Sequence, residues 1–229
     1  MTGDLRLVVF DLDGTLIDSQ HLIVDAMNAA FSGTGHAPPG REAILGIVGL
    51  SLPEAMAALC PELDGHETRR LADLYRDQFD RQRALAGEEA LAPLYPGARE
   101  ALDAVAADTG TLLGVATGKA KRGLDHALES HKLSAYFATT QTSDFHPSKP
   151  HPSMLETALR ETGVDAGRAV MIGDTEYDIE MGHAAGYATI GVAWGYHDAD
   201  RLHAAGASAV IDDFGELAMA VEALVGVNR

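Results

Sequence analysis

The sequence predicts an α/β fold: a doubly wound parallel-sheet, Rossmann-like core carrying an inserted all-helical segment. Three observations predict it. From residue 94 onward short apolar runs alternate with helical patterns, those runs are too continuously apolar to be half-exposed, and residues 16–92 show helical periodicity with no strand run. The expected division is a core domain of residues 1–15 and 93–229 and a helical domain of residues 16–92.

Composition narrows the function classes. The 229 residues hold 17 Lys+Arg against 34 Asp+Glu, a formal net charge of −17, which argues against nucleic-acid and membrane-surface partners. With 46% hydrophobic and 22% charged residues the chain is an ordinary globular one, not a disordered one. Its single cysteine, Cys60, has no partner for an intrachain disulfide or a zinc knuckle, so a packed core and a reducing compartment are expected. No run approaches eighteen consecutive apolar residues, so no membrane span is expected and the protein reads as cytoplasmic.

The elements follow in order. Residues 5–10 form an apolar strand run that Asp11 and Asp13 cut off. Leu22, Ile23, Ala26, Met27 and Ala30 then stand at helical spacing, Ser51 and Glu54 at capping-box spacing before another helix, and Leu71, Leu74, Tyr75, Phe79 and Leu85 trace a stripe along a charged one. The turn-rich Pro93-Leu94-Tyr95-Pro96-Gly97 leads back into the alternation. Strands are expected at 112–116, 136–139, 169–172, 188–193 and 209–211, with helices at 97–107, 119–131, 152–162, 175–185, 198–205 and 214–225. Pro152 suits a first helical position, and Gly163, Gly186 and Gly206 suit left-handed helix ends.

In an open parallel sheet, ligands bind beyond the carboxyl ends of the strands, so the chemistry is sought there. Those positions hold Asp11, Asp13, Gly14 and Thr15, then Thr117, Gly118 and Lys119, then Gly173, Asp174 and Asp178, with Lys149 in the loop before the helix at 152. Carboxylates converging on one edge repel by about 4 kcal/mol per pair at ~4 Å and an effective dielectric of 20, unless a cation joins them or a proton is taken up. Oxygen ligands without a His or Cys pattern favour Mg²⁺. The Thr117 hydroxyl, the Lys149 ammonium, backbone N–H groups around Gly14 and Gly118 and a helix N-terminus make a complementary place for a phosphoryl group.

Asp11-Leu12-Asp13-Gly14-Thr15-Leu16, Thr117-Gly118-Lys119, Lys149-Pro150 and Gly173-Asp174-Thr175-Glu176-Tyr177-Asp178 resemble, in order and spacing, the four motifs of the haloacid dehalogenase-like hydrolases. The resemblance implies that Asp11 attacks phosphorus to form an aspartyl-phosphate and that Asp13 protonates the leaving oxygen and then activates water. It also implies that Mg²⁺ is held by Asp11, the Asp13 carbonyl and Asp174, with Asp178 acting through water or by positioning Asp174, while Thr117 and Lys149 hold the phosphoryl oxygens. The helical segment is similar to the family's C1-type cap, with Gly49 and Ser51 in the expected substrate-contact loop, although Ser51 could equally well serve only as a helix cap. Arg41 and Arg122 are the nearest cationic candidates by sequence.

The second aspartate of motif one, Asp13, favours phosphoryl transfer over carbon–halogen cleavage, and the absence of lysine between residues 16 and 92 disfavours phosphonate cleavage. A Walker ATPase is rejected because Ala120 follows Lys119 and only three residues separate Gly114 from Gly118. The expected function is therefore a Mg²⁺-dependent phosphatase of a small phosphorylated metabolite, resembling the phosphoglycolate phosphatases and with 2-phosphoglycolate as first substrate, acting as a monomer or homodimer. Another small phosphate (a sugar phosphate, nucleotide or pyrophosphate), a sugar phosphomutase, or a receiver-like phospho-switch are the alternatives.

Overall fold

The computed structural model describes residues 5–226, so residues 1–4 and 227–229 of the expected core segments lie outside the described residues. The doubly wound α/β class expected from sequence is the one found. Six strands, β1 (Arg6–Phe10), β2 (Thr111–Thr117), β3 (Phe137–Thr142), β4 (Ala169–Gly173), β5 (Ala188–Val192) and β6 (Ala209–Ile211), form one parallel sheet in the order β3-β2-β1-β4-β5-β6. The chain winds outward from β1 to β3 and then resumes at β4 on the other side of β1. This reversal opens a crevice between the carboxyl ends of β1 and β4, where open α/β sheets bind ligands.

Alternation within the central strands divides the core between two faces. Val8 and Phe10 of β1 and Val170 and Ile172 of β4 pack with α6 (Ala98–Ala106), α7 (Lys121–Ser130) and α11 (Leu217–Val225). Leu7, Val9, Ala169 and Met171 point the other way, onto α8 (Ser153–Thr162) and α9 (Glu176–Ala184). Because both faces are covered, β1 and β4 are buried at every residue, which is why, after Arg6 at the start of β1, their letters read as unbroken apolar runs. The short α10 (Ala199–Ala204) connects β5 to β6.

Between β1 and β2 lie five helices and no named strand: α1 (Gln20–Ser32), α2 (Arg41–Leu45), α3 (Leu52–Leu59), α4 (Gly65–Ala86) and α5 (Glu88–Leu91). They share a separate apolar cluster built from Leu22, Met27 and Phe31 of α1, Ile44 of α2, Met56 of α3, and Leu71 and Phe79 of α4. The expected α4 stripe ends before Leu85, which is exposed although Arg83 just ahead of it is still buried.

Several local expectations need adjusting. Pro152 stands just before α8 instead of at its first position, whereas Gly163, Gly186 and Gly206 all adopt the left-handed conformation. The helix after β2 begins at Lys121, not Lys119, because residues 118–120 continue the strand into a loop and Asp144 accepts a hydrogen bond from the Lys121 N–H (2.8 Å). Ser51 occupies the N-cap position of α3, yet its hydroxyl donates to the Glu54 carboxylate and accepts no backbone N–H, so the expected capping box is not formed. The capping box that does form is Thr175 with Asp178 at the start of α9.

Candidate active site

The site grows from the crevice between β1 and β4. Asp11 follows directly after β1, and its N–H donates to the Ile172 carbonyl of β4 (2.8 Å), which fixes the carboxylate at the sheet edge. Asp174 follows β4 and is fully buried; its Oδ1 accepts from Thr15 Oγ1 (2.8 Å) and its Oδ2 from the Tyr196 N–H (2.9 Å). Two glycines make room for it. A Cβ at Gly14, where φ is +84°, would lie 2.2 Å from Asp174 Oδ2, and one at Gly195 would lie 2.1 Å from Asp174 Cβ.

Asp178 is fixed from its own helix. Its Oδ2 accepts from the Thr175 N–H (3.1 Å) and hydroxyl (2.7 Å), while Oδ1 accepts from Lys149 Nζ (2.6 Å). Lys149, itself buried, lies 2.9 Å from Asp11 Oδ1 and so stands between two carboxylates. Burial lowers the pKa of its ammonium, but Asp11 and Asp178 more than reverse this and hold it above the ordinary lysine value.

Asp11, Asp174 and Asp178 bring ligand oxygens within 4.8 Å of one another. Burial, reinforced by the Asp178 charge and opposed by Lys149, pushes Asp11 up to about 7. Burial and the charges of Asp11 and Asp178 likewise push Asp174 well above the ordinary carboxylate range. Asp11 Oδ1 is buried and, apart from the Lys149 ammonium 2.9 Å away, has no polar partner. Three crowded carboxylates with an unsatisfied oxygen among them fit a divalent cation, which would neutralise the crowding and complete the bonding.

Asp13 is turned toward other partners. Its Oδ1 accepts from Ser19 Oγ (2.6 Å), which lies 3.0 Å from the Tyr196 hydroxyl, and its Oδ2 lies 3.1 Å from Lys119 Nζ. Its side chain is outside the carboxylate trio. Asp11, Asp13, Thr117, Gly118 and Lys119 line one end of a cavity of about 470 Å³ whose other walls come from α1, α3 and α4 of the insert, from the loop holding Gly49 and Ser51, and from the start of α7 and the loop that ends at Ser148. The buried Thr117 hydroxyl accepts from the Lys119 N–H (3.2 Å).

The insert sits close over this edge. A Cβ at Gly118 would meet the Gly49 and Leu50 carbonyls at 2.5 Å, and the Ser51 N–H donates to Ser148 Oγ (2.7 Å). On the far side, the Tyr177 hydroxyl (3.1 Å) and His197 Nε2 (3.2 Å) both reach the Gly46 carbonyl at the end of α2. The lone Cys60 is buried within the insert, where burial, aided by Glu62, pushes its thiol up.

Not every residue expected to meet the substrate lines the cavity; Lys149, buried between Asp11 and Asp178, does not. Gly14 and Thr15 do not line the cavity: the Gly14 N–H is spent on the Ile17 carbonyl (2.9 Å), the Thr15 N–H on that of Leu12 (3.3 Å), and the Thr15 hydroxyl on Asp174. Both serve the carboxylate trio, because the tight turn after β1 folds them back beneath it. Asp178 does not touch Asp174 directly; it holds Thr175 and Lys149. Arg41 is exposed and bonded to Gln20, away from the cavity, whereas Arg122 lies at its edge. Ser19, Tyr177, Ser148, Gly195, Tyr196 and His197 were not anticipated. The rule of reading past each strand would have found 195–197, since they follow β5, but nothing in their letters announces a partner twenty residues back.

The matching family model, a haloacid dehalogenase-like hydrolase, spans residues 8–192. The chain belongs to the haloacid dehalogenase-like hydrolases. It is 37% identical over 226 residues to "Probable phosphatase IndB" of Dickeya dadantii, covering 97% of this chain and 96% of the relative. It is 30% identical over 215 residues to a phosphoglycolate phosphatase of Pseudomonas syringae pv. tomato, covering 93% and 78% respectively. The crystal structure of "a predicted phosphatase from Clostridium acetobutylicum" matches with a TM-score of 0.85 at 26% identity, over 96% of this chain and 99% of that one.

Proposed function

We propose that this family member is a Mg²⁺-dependent phosphatase of small phosphomonoesters that works through an aspartyl-phosphate on Asp11, with residues 16–92 closing over the site as a cap. The observation that carries the proposal is the position of Asp11, which faces the cavity while sharing its carboxylate neighbourhood with Asp174, Asp178 and Lys149. The names of its relatives support the reading.

Asp11 and Asp174, with the Asp13 carbonyl, would hold the metal, and Asp178 would act from behind through Thr175 and Lys149. Bound there, Mg²⁺ would offset the charge of the carboxylates and of the phosphoryl oxygens. The remaining steps belong to the chain's own groups. Thr117 and Lys149 would hold phosphoryl oxygens so that a carboxylate oxygen of Asp11 lies in line with the ester bond. That oxygen bonds to phosphorus as the bond to the leaving oxygen breaks, and the Asp13 carboxyl gives its proton to that oxygen. The Asp13 carboxylate then takes a proton from the water that attacks phosphorus, releasing phosphate and restoring Asp11. Ser19 and Lys119 hold the two Asp13 oxygens and keep the carboxyl aimed.

2-Phosphoglycolate is the first substrate in view, on the resemblance and on the name of one relative. A cytoplasmic setting fits the unpaired Cys60 and a chain in which, among the described residues, no helix is long and apolar enough to cross a membrane. The test is phosphate release from 2-phosphoglycolate, sugar phosphates, nucleotides and pyrophosphate, with Mg²⁺ or with EDTA. Metal-dependent release is expected, and Asp11→Asn should lower kcat by a factor of at least about 10⁴ while leaving the melting temperature nearly unchanged. Full activity in that variant would remove Asp11 as nucleophile.

A further inference from the structure

The cavity above Asp11 is larger and more apolar than a two-carbon anionic substrate requires. Its volume of about 470 Å³ lies in the range of pockets that enclose drug-sized ligands. The end near the sheet is polar, but one side is lined by Ile23 and Met27, one turn apart on α1, Leu52 on α3, and Tyr75 and Phe79, one turn apart on α4. The two rings lie 5.8 Å apart, and Lys119 Nζ sits 4.7 Å from the Phe79 ring centre.

Charge in the cavity is already matched. Its lining carries four cations, Arg76, Arg83, Lys119 and Arg122, against five carboxylates. Lys119 pairs with Asp13 (3.1 Å), Arg83 and Arg122 share Asp80 (2.7 and 3.5 Å), and Arg76 pairs with Asp73 (2.9 Å). A second negative group on the substrate, such as the carboxylate of 2-phosphoglycolate or the second phosphoryl group of pyrophosphate, would meet apolar side chains and a lining in which carboxylates outnumber cations. Its desolvation would cost more than a neutral group's.

We propose that the apolar side of this cavity is a subsite for an uncharged, largely apolar leaving group, so that the preferred substrate is the phosphate monoester of an uncharged alcohol bulkier than glycolate. The proposal rests on the phosphatase reading above and specifies its substrate class. A flat or branched apolar portion would lie against Met27, Leu52 and Phe79 while the phosphoryl group reaches Asp11, and pyrophosphate falls outside this class.

The test compares kcat/KM with Mg²⁺ for 2-phenylethyl phosphate, ethyl phosphate, 2-phosphoglycolate and pyrophosphate. The first two release primary alcohols, so the phenyl group reports on binding and not on leaving-group reactivity. The expected result is 2-phenylethyl phosphate ahead of each of the others by roughly tenfold or more, as for burial of several apolar carbons. Leu52→Arg, at a half-buried wall position, should shift the ratio by roughly tenfold toward 2-phosphoglycolate by supplying an unmatched cation. A preference of the unsubstituted protein for 2-phosphoglycolate or pyrophosphate would overturn the subsite and leave the phosphatase reading standing. No turnover of any ester would overturn the phosphatase reading instead; the subsite would then be judged by calorimetric binding of the same esters to Asp11→Asn, where tighter binding of 2-phosphoglycolate than of 2-phenylethyl phosphate overturns it.

Discussion

Asp174 illustrates how much of this site is made by residues that never face the cavity. Thr15 and the Tyr196 N–H fix its two oxygens, and Gly14 and Gly195 leave the space it occupies. Asp174→Ala should therefore raise the Mg²⁺ concentration needed for half-maximal activity by a factor of about 10–100 and reduce the Mg²⁺-induced rise in melting temperature, both measurable by titration. An unchanged metal requirement would remove it as a ligand. His197 gives a pH prediction. Its Nδ1 accepts from the Glu176 N–H (3.1 Å) and its Nε2 donates to the Gly46 carbonyl, an arrangement only the neutral ring allows. Burial, with Arg201 nearby, keeps its pKa below the ordinary histidine value. The unfolded chain therefore takes up the proton first as pH falls, so this contribution to stability is complete above about 6.5 and is lost as pH drops through the folded value. Melting curves from pH ~7.5 to ~5.5 should fall less steeply for His197→Gln, which can keep both hydrogen bonds without titrating; equal slopes would refute the assignment.

At the scale of elements, two loops decide whether the site is covered. Residues 48–51 between α2 and α3 meet residues 117–119 after β2 so closely that Gly118 has no room for a side chain. Gly118→Ala forces carbonyl groups of the insert back by about an ångström, and the insert can retreat more easily than the sheet can. The expected outcome is a fall in kcat/KM of roughly tenfold with a small change in melting temperature. Unaltered kinetics would mean that this contact is not made during turnover. Local sequence anticipated these elements well where one physical rule acted alone: left-handed turns at Gly163, Gly186 and Gly206, and unbroken apolar runs in β1 and β4. It did less well where another partner competed, local at Ser51, whose hydroxyl goes to Glu54 three residues on, and distant at Lys121, where Asp144 takes the first N–H of α7.

Across the whole molecule, the sheet is packed on both faces by two apolar clusters, whereas the insert relies on a third cluster of its own among amphipathic helices. The helices expose much of their surface and join the core through few hydrogen bonds, among them those at Gly46 and Ser51. Hydrogen exchange on the full chain should therefore show the amides of α1, α3 and α4 exchanging faster, by roughly tenfold or more, than those of β1 and β4. Equal protection throughout would show that insert and core open as one unit.

The sequence by itself determined the class of fold and the chemistry on offer. Parallel strands buried on both faces must be written in continuous apolar letters, and an open sheet of such strands presents Asp11, Thr117 and Asp174 at one edge. The run of helices between β1 and β2 was legible as a change of period. Only the tertiary structure decided which neighbours those residues have. It turned Gly14 and Thr15 toward Asp174, sent Lys149 between Asp11 and Asp178, supported Asp13 with Ser19 and Tyr196, and matched the cations of the cavity with carboxylates. Periodicity records which face of an element is buried, whereas the partner of a side chain depends on segments brought together from elsewhere in the chain, and one sequence alone carries no mark of that pairing.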